Sequence, residues 1–88
     1  MRVAGESMRG AGILDGDLVV VDRSLDAQSG HVVVAVCGGE MVIKRLRRLR
    51  DGRAVLQADN PDFPELVVGE DLPGEVWGVV VGVVLKLR

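Results

Sequence analysis

Val32-Val33-Val34-Ala35-Val36-Cys37-Gly38-Gly39-Glu40-Met41-Val42-Ile43-Lys44 reads as two short strands joined by a two-residue loop. Valine and isoleucine suit a pleated, half-buried surface. Two adjacent glycines between apolar runs supply the positive φ that a tight hairpin demands. With Gly38 and Gly39 as the loop, the register follows: Cys37 faces Glu40, Ala35 faces Val42, and Val33 faces Lys44. Lys44 then shares a face with Val42 and Leu46 and lies across from Val33. An amine among aliphatic groups loses hydration, which favours its neutral form. A lysine stem that snorkels past the apolar patch into water fits the same pattern.

Outward from this hairpin the chain repeats its style. Apolar runs at 18–21, 55–56, 66–68 and 76–85 are rich in valine and leucine. Turn dipeptides separate them: Asp15-Gly16, Asp51-Gly52 and Asn60-Pro61. No stretch carries a long 3.6-residue apolar period with caps. The expectation is an all-β domain, a small barrel-like or folded-over sheet of short strands, occupying residues 1–88 without repeat or linker.

Composition narrows the role. The chain has 88 residues, 48% hydrophobic and 27% charged, with a net charge of −2. Disordered segments are poorer in apolar residues and more strongly charged. A domain this short buries only about 60–65% of its unfolded surface, so a partner subunit helps it. Phe63 and Trp77 are the only aromatics, too few for a platform that stacks single-stranded bases. Mild acidity argues against a dedicated duplex binder, and no direct specific nucleic-acid binding is expected. Cys37 is the single cysteine, which excludes an intrachain disulfide and a cysteine metal site. The run 76–85 is too short to span a bilayer as a helix. Met1-Arg2-Val3 opens no long apolar leader, so a cytoplasmic setting without membrane is the expectation.

A second unusual stretch is Gly5-Glu6-Ser7-Met8, followed by Gly10-Ala11-Gly12. A serine beside glycine on a turn can expose its hydroxyl near free backbone N–H groups. A solvated turn serine is the plainer reading of that spacing alone.

Taken together, the blocks resemble a known family. Gly5-Glu6-Ser7-Met8, Asp15-Gly16-Asp17-Leu18-Val19-Val20-Val21-Asp22, Gly30-His31-Val32-Val33-Val34-Ala35 and Val42-Ile43-Lys44-Arg45-Leu46 recur in the order of the self-cleaving Ser-Lys peptidases of the LexA/UmuD (S24-like) family. Leu56-Gln57-Ala58-Asp59-Asn60-Pro61 and the closing Val76-Trp77-Gly78-Val79-Val80-Val81-Gly82-Val83-Val84 fit as well. The Val-Trp-Gly-Val-Val ending after Gly69-Glu70-Asp71-Leu72 looks closer to UmuD-type than to LexA-type members.

The resemblance implies Ser7 as nucleophile and Lys44, neutral through burial, as general base. It implies an oxyanion hole from the backbone N–H of Ser7 and of Glu6, with no cofactor and no metal. It implies autocleavage provoked by the RecA filament, a homodimer through the C-terminal strand 76–85, and service to a UmuC-like translesion polymerase subunit. The rival within the family is the dimerisation and autocleavage domain of a LexA-like or phage-type repressor. Family members carry a scissile Ala-Gly or Cys-Gly bond in an N-terminal arm. Only six residues precede Ser7, so the arm is expected to be missing, as in a trimmed chain, a processed product or a gene with a misassigned start. Ala4-Gly5 and Ala11-Gly12 lie too close to Ser7 to fold back across the dyad. A non-catalytic interaction module remains a third reading. Type I signal peptidase is a fourth, disfavoured because no proline follows Met8 and no anchor precedes Ser7.

Lys44, Arg45, Arg47, Arg48, Arg50 and Arg53 crowd ten positions. A solvated hairpin around Asp51-Gly52 explains them better than a docking patch. Asp15, Asp17, Asp22 and Asp26 match a calcium loop only superficially, because a strand intervenes. His31 lacks a second histidine for a metal, and Cys37 reads as a small residue flanking a turn.

Overall fold

The computed structural model describes residues 1–69 and 73–84. The valine-rich runs form six strands: β1 (Leu18–Asp22), β2 (Val32–Cys37), β3 (Glu40–Arg48), β4 (Ala54–Gln57), β5 (Leu66–Val67) and β6 (Gly74–Val84). They join in one sheet of order β1-β6-β2-β3-β4-β5, with every pairing antiparallel. The fold is all-β, as expected from the sequence, and the described residues add only a 3-10 turn at Arg9–Ala11.

The β2–β3 hairpin forms in the expected register. Gly38 and Gly39 take φ of 60° and 83°, a backbone that side-chain-bearing residues rarely adopt. Cys37 pairs with Glu40, Ala35 with Val42 and Val33 with Lys44. Strand β3 runs further than its apolar residues suggest, because Arg45, Leu46, Arg47 and Arg48 pair with Gln57, Leu56, Val55 and Ala54. The arginine-rich stretch is thus half strand, and its tip from Arg50 to Gly52 forms the turn. Residue 85 and the connection 70–72, used above for the C-terminal strand and the UmuD-type likeness, lie outside the described residues.

Strand β6 enters between β1 and β2 and pairs with both. Register shifts at Val20/Val21 and Val34/Ala35 bend the sheet where β6 crosses it. Alternation along each strand then builds a core on either face. On one face Val19, Val34 and Ile43 pack under Val3, Met8 and Ile13 of the N-terminal segment. On the other, Val33, Ala35, Cys37, Leu46, Leu56 and Val79 cluster together. Met8, Val33, Val34, Leu46 and Leu56 are almost wholly buried.

The N-terminal segment is stitched to the sheet by backbone bonds. Met1 and Val19 exchange bonds of 3.1 and 2.8 Å, while Val3 donates to Asp17 and accepts from Gly16, both at 2.8 Å. The chain therefore passes along the edge of β1 before turning across the sheet, which carries residues 5–8 to the edge of β3.

Candidate active site

Strand β4 pairs only with the second half of β3, from Arg45 to Arg48. The first half, Glu40 to Lys44, has no described strand on that side. Its edge forms one wall of a groove of about 330 Å³, and residues 1–7 with Phe63 form the rest. Ser7 and Lys44 both line this groove.

Lys44 shares its face with Val42 and Leu46, opposite Val33, as its register requires. The residue is 7% exposed, so most of the side chain is withdrawn from water. Its Nζ lies 5.4 Å from the centroid of the Phe63 ring. Burial pushes the Lys44 pKa down from the usual lysine value, because desolvation penalises the ammonium. No acidic residue is paired with Lys44 in the described salt bridges. Val42 and Phe63 line the groove beside it, together with Glu6 and Ser7.

Ser7 is half-buried, and its hydroxyl donates to the Ile43 carbonyl at 3.5 Å. That long bond is weak and easily exchanged, and its acceptor is the residue immediately before Lys44. The serine therefore sits at the open edge of β3. Met8 beside it is locked into the core and fixes the segment from behind.

The turn carrying Ser7 is held from three sides. Gly5 N–H donates to Asp15 Oδ1 at 2.8 Å. Arg9 N–H donates to the Glu6 carbonyl at 3.2 Å, and Asn60 Nδ2 donates to the same carbonyl at 2.9 Å. None of the hydrogen bonds described for this segment uses the N–H of Glu6 or Ser7. Asp17, fully buried, accepts from the Leu14 N–H at 2.9 Å and stabilises the approach to β1.

The sequence reading singled out Ser7, Glu6 and Lys44, and the fold brings all three to one groove. It missed Asp15, Phe63 and Asn60. Asp15 and Asn60 were read as turn residues, and only the folded chain turns their side chains onto the serine segment. Phe63 lies 19 residues beyond Lys44 in sequence, and no periodicity links the two.

The remaining features take their plainer readings. Arg45 pairs with Asp59, Arg47 with Glu65 and Arg53 with Asp51, so the basic cluster is partly neutralised. His31 Nδ1 accepts from the Gln28 N–H at 3.0 Å at the start of β2. Cys37 is buried beside the hairpin turn. No helix among the described residues is long and apolar enough to cross a membrane.

The family model for peptidase S24-like proteins matches residues 1–81. A LexA repressor from Cupriavidus pinatubonensis is 47% identical over 88 residues, covering 96% of this chain and 38% of that protein. A LexA repressor from Bordetella pertussis is 44% identical over 84 residues, with the same two coverages. One from Verminephrobacter eiseniae is 42% identical over 84 residues, covering 96% of this chain and 37% of that protein. The chain thus spans under two fifths of the length of these relatives. With its blocks in family order and that match over nearly its whole length, the chain belongs to the peptidase S24-like family.

Proposed function

We propose that this chain is the self-cleaving, dimerising domain of a LexA-like repressor, with Ser7 as nucleophile and Lys44 as general base. The observation that carries this reading is the burial of the Lys44 side chain, 7% exposed, in the wall of the groove that Ser7 also lines. A neutral amine there takes the Ser7 proton as Oγ attacks the scissile carbonyl carbon. The tetrahedral oxyanion accepts hydrogen bonds from the N–H of Ser7 and of Glu6. The Lys44 ammonium then protonates the leaving amine, and water, deprotonated by the same lysine, releases the acyl group from Ser7. The free edge of β3 gives an extended peptide a place to pair beside the dyad.

The repressor reading displaces the UmuD-type one that the sequence favoured. The relatives described above are LexA repressors, whereas the UmuD-type likeness leaned partly on residues 70–72. A UmuC-like polymerase subunit is accordingly no longer the expected partner. The RecA filament remains the expected trigger, and a homodimer remains the expected assembly. Leu18, Val20 and Val84 share one apolar face of β1 and β6, at 43%, 51% and 57% exposure. A second subunit covering that face removes it from water.

The test is cleavage in trans. A peptide with an Ala-Gly bond between flexible apolar flanks is incubated with the chain from pH 7 to pH 10. Cleavage that rises with pH, and vanishes in Ser7→Ala and Lys44→Ala, is the expected result. A folded dimer that cuts nothing at pH 10 and millimolar peptide refutes the peptidase role and favours a binding module. A helix-turn-helix segment encoded upstream in the gene decides for the repressor.

A further inference from the structure

Residues 59 and 60 bridge the two halves of the site. Asn60 Nδ2 donates to the Glu6 carbonyl at 2.9 Å. The peptide unit is planar, so the Glu6 C=O and the Ser7 N–H are opposite ends of one rigid plate. Whatever fixes the carbonyl also aims the N–H. The other end of the Asn60 amide, Oδ1, accepts from the Asp62 N–H at 3.0 Å, which stops the group from turning over.

Asp59 is anchored just as firmly. Arg45 grips its carboxylate with Nε at 3.0 and 3.2 Å and Nη2 at 2.6 Å, and its Nη1 donates to the Gly30 carbonyl at 2.7 Å. The Asp59 carbonyl accepts the Gly10 N–H at 2.6 Å. Arg45 directly follows Lys44, and Gly10 lies three residues after Ser7. The segment 59–60 thus clasps the strand of the lysine to the turn of the serine.

We propose that Asn60 is a positioning residue for the peptidase: through the Glu6 carbonyl it presents the Ser7 N–H to the developing oxyanion, and the Arg45–Asp59 pair holds it in place. This inference rests on the Ser7–Lys44 reading above. The competing role is purely local, since Asn60 Oδ1 also closes the turn before Asp62.

Two substitutions separate these roles. Asn60→Asp keeps an oxygen for the Asp62 N–H but sets an acceptor against the Glu6 carbonyl. Asn60→Ala removes both contacts. In the trans-cleavage assay both are expected to lower kcat about 100-fold with KM nearly unchanged, the scale for misalignment of a reacting group. The midpoint of the pH profile should stay put in Asn60→Ala, because none of the described hydrogen bonds of the Asn60 side chain reaches Lys44. Wild-type kcat in Asn60→Asp, whatever Asn60→Ala does, overturns the proposal, as does a change confined to KM. A readout without turnover accompanies it: in the two-dimensional NMR spectrum the Ser7 amide resonance should shift in Asn60→Asp more than that of Asp62. A Ser7 resonance left unmoved refutes the positioning role. Ser7→Ala, run alongside, isolates the underlying reading, because cleavage that survives it removes the peptidase itself and not the clasp.

Discussion

Replacing Lys44 by Met tests the desolvated amine without reference to catalysis. The substitution keeps a long unbranched stem and roughly the same volume, so its packing cost stays below about 1.5 kcal/mol. It also removes the desolvation penalty of an ammonium on a side chain that is 7% exposed and shares a face with Val42 and Leu46, opposite Val33. The Lys44 pKa is lowered by desolvation, so between its folded value and about 10.4 the unfolded chain binds more protons than the folded one. Wild-type stability therefore rises with pH across that window, by at most about 1.4 kcal/mol per pH unit. Below the window the penalty is present in full; above it, both states are neutral at this position and the penalty is gone. Lys44→Met should accordingly exceed wild type in stability at pH 7, and the two curves should converge as pH approaches 10.4. Urea unfolding of both proteins at half-unit steps from pH 6 to 10.5 measures this, and every group they share cancels in the difference. In a domain of this size each kcal/mol is about 4–8 °C in Tm. A difference independent of pH would refute the reasoning, because it would mean that the amine reaches water in the folded state. The same variant should lack peptidase activity, a gain in stability at the expense of function.

Three further outcomes follow from the geometry. A Cβ on Gly10 would stand 2.5 Å from the Asp59 carbonyl oxygen, so Gly10→Ala should cost about 1–3 kcal/mol by overpacking and loosen the serine turn, read by urea unfolding and by kcat. Phe63→Ala opens the groove beside Lys44 to water and should raise the pH midpoint of cleavage; a midpoint that falls would show that the ring acts chiefly by attracting the ammonium. Val20→Glu places a charge on the exposed apolar face of β1 and β6; if the proposed dimer uses that face, the variant should be a folded monomer by light scattering at tens of micromolar while the wild type runs as a dimer.

The sequence by itself determined the strands, the Gly38-Gly39 hairpin and the face on which Lys44 lies. These are short-range consequences of β-branched runs, of a turn that only glycine accommodates and of a two-residue side-chain period. It also carried the order of blocks that identifies the family and names Ser7 and Lys44. Tertiary structure alone decided that β6 inserts between β1 and β2, and that β4 stops short along β3, so that among the described residues no strand covers the edge where Ser7 arrives. Neither follows from local propensity, since both depend on which strands meet across long stretches of chain. The same holds for Asn60, Asp59 and Arg45. In sequence they read as a turn and a basic run, because a hydrogen bond from residue 60 to residue 6 leaves no periodic trace. The close approach of Gly10 to Asp59, with the Asn60–Glu6 and Arg45–Asp59 bonds, brings those segments together, and with them the two halves of the groove.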